Sequence, residues 1–132
     1  MNLLVDTSVW SLALRRDAPP SGTTLAHLRE ALAGGAQVFT TGLILQELLQ
    51  GFRGPRNRDA IVARFAALPF LIPDRRDHID AAALRNDCRR RGVQIGTIDA
   101  LLAQLCMRHD LSLLTTDADF TEVAELHPLR LR

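Results

Sequence analysis

Leu3-Leu4-Val5-Asp6-Thr7-Ser8-Val9-Trp10 joins an apolar run of strand length to an acid, two hydroxyl residues and a second apolar pattern. The run from Asn2 to Asp6 reads as a short buried strand that carries one carboxylate to its C-terminal tip. A helix follows, because Asp6 or Thr7 can offer a side-chain oxygen to the free N–H groups of a first turn. Val9, Leu12 and Ala13 are its expected apolar stripe. Two prolines and a glycine in Asp17-Ala18-Pro19-Pro20-Ser21-Gly22 are expected to end it.

The same alternation continues outward. Thr23 or Thr24 opens a helix with Leu25, Leu28 and Leu32 on one face, and Gly34-Gly35 stops it. Residues 37–41 read as a β-branched and aromatic strand. Residues 42–52 read as a helix that is almost wholly apolar, with Glu47 as its one acid. Gly51 and Gly54-Pro55 interrupt, and residues 56–68 form another helix with Ile61, Phe65 and Leu68 inward. Residues 69–73 are a short strand bounded by prolines, which suits an edge. A long charged helix spans 74–91 and ends at Gly92. Thr97 is expected to cap a helix over 98–108. Residues 111–116 are a further strand, 117–126 a short helix or turn, and 128–131 a possible last strand. Strands alternating with helices predict an α/β domain, with a central, mostly parallel sheet of four or five strands flanked by helices on both faces. Such a sheet has its strand ends on one shared edge, where ligands bind.

At 132 residues with 47% hydrophobic content, residues 1–132 are expected to form a single domain. The net charge of +1 gives no global sign of a polyanionic partner, but every one of the 16 Lys and Arg residues is arginine. Arginine stays charged at any working pH and grips phosphate through two parallel hydrogen bonds; an all-arginine set also follows from base composition. Cys88 and Cys106 fit neither a disulfide framework nor a metal spacing. His27, His78, His109 and His127 lack zinc-type spacing. The opening residues do not form a signal peptide and no apolar run is long enough for a membrane span, so a cytoplasmic location is expected.

Four acids stand in unusual places. Asp6 ends the first strand, Glu47 interrupts an apolar helix, Asp99 is the second residue of another apolar helix, and Asp117 follows a strand with Asp119 two residues on. Singly, Asp6 and Asp99 suit a helix dipole, Glu47 suits a narrow exposed face, and Asp117 with Asp119 suits a turn. Together at one sheet edge they would repel one another and raise their pKa values. A divalent cation relieves that repulsion, and carboxylates with water are the ligands that Mg²⁺ or Mn²⁺ prefers. Such a site points to phosphoryl chemistry. Without lysine there is no P-loop, and aspartyl-phosphate enzymes lose the cation they normally use. No serine stands in a nucleophile elbow.

Leu4-Val5-Asp6-Thr7-Ser8-Val9-Trp10 resembles the opening of PIN-domain ribonucleases. Glu47 within Leu45-Gln46-Glu47-Leu48 is similar to their helical glutamate. The stretch from Ile95 to Ala103 resembles the segment with their third acid, Asp99 here, and that from Leu114 to Phe120 resembles their final motif, with Asp117 as the fourth acid. Length and the Ile95-Gly96 approach to Asp99 look most like the VapC toxins of bacterial toxin–antitoxin pairs. The resemblance implies a Mg²⁺- or Mn²⁺-dependent endoribonuclease that cuts transfer or ribosomal RNA and leaves 5′-phosphate and 3′-hydroxyl ends. It also implies a VapB-type antitoxin as partner and a homodimer. Asp6, Glu47, Asp99 and Asp117 would then bind metal directly or through water, with Asp119 as a further ligand or supporting partner. The hydroxyls of Thr7, Ser8, Thr97 and Thr116 would orient ligands from behind. The rival functions are a non-catalytic PIN-like module that binds RNA or protein, and a structure-specific DNA nuclease.

Arg53, Arg56 and Arg58 form one candidate RNA-binding cluster, and Arg89, Arg90 and Arg91, near Arg85, form a second. Charge runs on helices are also ordinary solvated faces. Trp10, Leu14, Leu45, Leu49 and Phe52 are candidates for an oligomer or antitoxin interface, with plain core as the alternative.

Overall fold

A computed structural model describes residues 2–15 and 22–132. The expected helix stop at 17–21 lies outside the described residues. Among the described residues, five short strands form the sheet: β1 (Leu3–Val5), β2 (Val38–Thr41), β3 (Phe70–Leu71), β4 (Ser112–Leu114) and β5 (Arg130–Leu131). Their spatial order is β3-β2-β1-β4-β5, and every pairing is parallel. β1 is therefore central, and it is buried along its whole length. That explains its unbroken apolar sequence, since a central strand of a parallel sheet is covered on both faces.

Among the described residues, seven α-helices flank this sheet: α1 (Thr7–Leu14), α2 (Thr23–Glu30), α3 (Gly42–Gly51), α4 (Pro55–Ala66), α5 (Arg75–Arg90), α6 (Thr97–Arg108) and α7 (Asp119–Leu126). After α2 the chain widens into a π-type turn over Ala31–Gly35, where Gly34 takes a φ of 110°. That left-handed backbone suits glycine and ends the helix at the expected place. The core gathers β1, β4, α6 and one face of each remaining helix. Trp10 and Phe65 meet in it with ring centroids 5.0 Å apart.

Several sequence expectations need correction. Gly96, not Thr97, is the N-cap of α6, and no side chain caps that helix; Thr97 is already its first helical residue. Trp10 is 1% exposed and belongs to the core, the alternative its sequence setting left open. Leu14, Leu45, Leu49 and Phe52 are partly buried and pack against that core. Ala13 and Leu32 face outward, and Trp10 replaces Ala13 in the buried stripe of α1. The strand expected over 69–73 shrinks to two residues at the β3 edge, as its flanking prolines require.

α5 and α6 form an antiparallel hairpin closed at both ends. Near the start of α5, Asp74 and Asp77 make a reciprocal capping box, each accepting the other's main-chain N–H at 2.9 Å. Arg108 from the end of α6 reaches back to Asp77 and, at 3.3 Å, to Asp74. At the other end, Arg85 Nε donates to the carbonyl of Ile95 at 2.9 Å, and Val93 N–H donates to Cys88 O at 2.8 Å. This double closure sets the direction in which the first turn of α6, with Asp99, meets the sheet edge.

Asp77 is buried and its Oδ1 has no partner among the described residues. Its Oδ2 accepts from the Asp74 N–H, and its charge pairs with Arg108, the cation that faces it. Arg108→Met keeps the apolar stem but strands that charge, and is expected to lower the unfolding free energy by about 3 kcal/mol. Arg76→Met removes an exposed ion pair with Asp80 on the same helix and is expected to change little. Urea unfolding of the two variants checks this; equal effects would exclude Arg108 as the closing residue.

Candidate active site

The β1–β4 register builds the site. Leu3, Leu4 and Val5 lie beside Ser112, Leu113 and Leu114, and Asp6 N–H donates to Leu114 O at 2.9 Å. The next residue on each strand is Asp6 on one and Thr115 on the other. Parallel strands point their ends the same way, so these two side chains meet. Thr115 Oγ1 donates to Asp6 Oδ2 at 2.8 Å.

Asp6 caps α1, with its Oδ1 accepting from Thr7 N–H at 2.8 Å. Its Oδ2 also accepts from the Ser8 hydroxyl at 2.9 Å. Ser8 and Thr115 each complete a relay. Ser8 Oγ accepts from Thr116 N–H at 3.1 Å, and Thr115 Oγ1 accepts from Asp117 N–H at 3.0 Å. The loop after β4 is thereby tied to the carboxylate at the tip of β1. Asp117 Oδ1 in turn accepts from Asp119 N–H at 2.9 Å, which turns the chain into α7. On the other side, Thr7 Oγ1 donates to Glu47 Oε1 at 2.8 Å and ties α3 to the start of α1.

Asp99 enters differently. It is half-buried in the first turn of α6 and accepts no hydrogen bond among the described residues. Burial first, then the like charges of Asp6, Asp117, Glu47 and Asp119, push its carboxyl up to about 6. All five expected acids therefore share one electrostatic neighbourhood. Among the described residues, however, no three His, Cys, Asp or Glu side chains close into a metal-ligand group. The donor set is carboxylate and hydroxyl oxygen, with no thiol or imidazole in the network, which is chemistry suited to a hard cation such as Mg²⁺ or Mn²⁺. Cys106 lies beneath it, and burial with the nearby Asp6 charge pushes its thiol up to about 12, leaving it an inert core residue.

The supporting hydroxyls differ in part from those expected. Thr7 and Ser8 hold carboxylates, as their spacing suggests. Thr116 uses only its main-chain N–H, and its neighbour Thr115 supplies the hydroxyl. Thr97 makes no hydrogen bond to the acids among the described residues. Counting the register from Val5 opposite Leu114 singles out Thr115, but that register is invisible before the strands are paired. The arginines separate as well. Arg90 and Arg91 both pair with Asp87, which also holds His127 at 2.8 Å. Arg58 pairs with its neighbour Asp59, and Arg53 and Arg56 stand exposed before and within the first turn of α4. Arg89 lines a cleft with Arg85.

Comparison with known proteins agrees with this architecture. The model of the PIN domain matches residues 3–126. Ribonuclease VapC11 from Mycobacterium tuberculosis is 28% identical over 130 residues, covering 97% of this chain and 96% of that protein. Among solved structures, a chain of VapBC2 from Rickettsia felis, bound to a DNA fragment from its promoter, superposes with a TM-score of 0.77 at 18% identity, covering 100% of this chain and 98% of the other. VapC20 from Mycobacterium tuberculosis, a sarcin-ricin loop cleaving toxin, gives 0.68 at 18% identity over 91% of this chain and 93% of the other. These likenesses at low identity establish the shared fold.

The raised pKa of Asp99 has a stability consequence with a definite sign. The folded chain holds this proton more tightly than the unfolded chain, whose carboxyl keeps its ordinary 3.8. The contribution is therefore complete below about pH 4 and lost as pH rises through about 6. In chelator-treated buffer, Asp99→Asn is expected to match the parent Tm near pH 4 and to exceed it by on the order of 5 °C at pH 7. A Tm difference independent of pH would show that the like charges do not act on Asp99.

Proposed function

The chain belongs to the PIN-domain family, and on that premise we propose that it is a metal-dependent endoribonuclease of the VapC type, the toxin of a toxin–antitoxin pair. The carrying observation is the half-buried Asp99 carboxyl, which burial and then the like charges of four surrounding acids raise to about 6. A fold gains nothing structural from such repulsion, whereas a cation-binding hydrolytic site needs it. The full-length similarity to proteins named VapC ribonucleases supports the same reading.

Asp6, Glu47, Asp99 and Asp117 would hold Mg²⁺ or Mn²⁺, with Asp119 beside them. Bound there, such an ion polarises phosphate oxygens and lowers the pKa of water. The chain's own part is pre-organisation. Ser8 and Thr115 fix the orientation of Asp6 by donating to one of its oxygens. The other oxygen is fixed by the helix start. Thr7 sets Glu47 by donating to its Oε1. Asp119 N–H orients Asp117. The products would carry 5′-phosphate and 3′-hydroxyl ends. A VapB-type antitoxin and a second copy of the chain are its expected partners, in the cytoplasm.

The decisive experiment incubates the purified protein with total RNA and, in parallel, with structured DNA, with Mg²⁺, Mn²⁺ or chelator. RNA cleavage is expected with either metal, none with chelator, and a loss of at least 10³-fold (order of magnitude) in Asp6→Asn. Cleavage of DNA alone would move the protein to the structure-specific DNA nucleases. Binding without any metal-dependent cutting would make it a non-catalytic module. Thr115→Val is expected to reduce kcat by about 10–100-fold, as loss of a group that orients a metal ligand commonly does. Thr116→Val, whose hydroxyl makes no such bond, is expected to stay within about twofold (estimate on the same basis). Equal activities would remove Thr115 from the positioning network.

A further inference from the structure

One cleft outside the acid group is polar and cationic. It measures about 420 Å³ and is lined by Arg85, Arg89, Gln94, Ile95 and Gly96, between the last turns of α5 and the loop that enters α6. Arg85 is half-buried, and its Nε is spent on Ile95 O, which fixes the guanidinium at the wall of the cleft. Arg89 is exposed and makes no ion pair among the described residues, whereas the adjacent Arg90 and Arg91 are neutralised on Asp87. Among the described residues, no acid lines the cleft. Gly96, which lines the cleft, is also the N-cap of α6, and no side chain caps that helix. Asp99, in that same first turn, belongs to the acid group.

The cleft and the acids thus lie at one helix start with opposite charge. A polynucleotide that brings one phosphate to a group of carboxylates needs its neighbouring phosphates neutralised elsewhere. Two permanently charged guanidinium groups provide that, since arginine matches phosphate geometry with paired N–H donors. We propose that this cleft receives a backbone phosphate of the RNA strand flanking the cut bond, with Arg89 as the principal contact and Arg85 as a pre-positioned second. The assignment rests on the endoribonuclease reading above. It favours RNA over an acidic peptide because the adjacent acids already call for an RNA strand at this helix start, and Gln94 adds an amide able to donate to phosphate beside the two guanidinium groups. It also divides the arginine run: Arg89 faces substrate, while Arg90 and Arg91 serve Asp87.

The test measures binding of a mixed-sequence single-stranded RNA oligonucleotide at several salt concentrations, in chelator so that nothing is cut. The proteins are the parent, Arg89→Gln and Arg76→Gln, the last removing an equal charge from the opposite end of α5. Arg89→Gln is expected to bind about five- to tenfold more weakly, with a salt slope shallower by about 0.7–1, the signature of one lost phosphate contact. Arg76→Gln is expected to match the parent. With Mg²⁺ added, Arg89→Gln should raise KM far more than it lowers kcat. An unchanged slope in Arg89→Gln, or an equal loss in Arg76→Gln, overturns the cleft while leaving the nuclease reading intact. A parent protein that neither binds nor cuts RNA overturns both. Displacement of the RNA by a glutamate-rich peptide, with Arg89→Gln losing the peptide and not the RNA, assigns the cleft to a protein partner and overturns the proposal.

Discussion

The parallel pairing of β1 with β4 is the constraint from which the site follows. Val5 opposite Leu114 places Asp6 beside Thr115. A one-residue slip would reverse the facing of every side chain on the strand. Apolar burial on both faces does not by itself forbid that slip, because β1 is uniformly apolar. The polar tip does: only one register lets Thr115 and Ser8 both donate to Asp6 while accepting from the loop that carries Asp117. The acidic edge therefore also fixes the centre of the sheet.

The same edge carries an unfavourable charge arrangement, and the chain distributes it unevenly. Asp6, Glu47 and Asp117 are each supported by donors. Asp99 has none among the described residues and is the carboxylate on which burial and repulsion act most visibly. It is also the residue delivered by a hairpin braced at both ends, α5–α6. A rigid helix start can hold a charge where a loop would turn it away, so the brace and the repulsion belong to one design.

The sequence pattern carried the order of elements because strand-length apolar runs alternate with helical periods, broken by Gly and Pro at the right places. It carried the acids because charge in an apolar setting is conspicuous, as with Glu47 in α3. Features that depend on pairing were not legible. Thr115 and Thr116 look equivalent until the register separates them. Trp10 reads equally well as interface or core until Phe65, distant in sequence, is seen against it. Thr97 has the residue type of a cap, but the extended backbone at Gly96 takes that position. The contact between Asp77 and Arg108 joins two ordinary charges whose burial only packing creates.

The Asp6–Thr115 contact spans 109 residues of sequence. A ribosome delivers those residues in order, so the chain that emerges first carries Asp6 and the hydroxyls around it but not their partner strand. The α5–α6 hairpin closes through neighbours and can form early, since nearby contacts cost little loop entropy. The acids cannot be assembled until β4 and Asp117 have left the exit tunnel. The acidic edge is thus completed only after β4 has been synthesised, and a fragment that stops short of β4 lacks Thr115, Asp117 and Asp119 together.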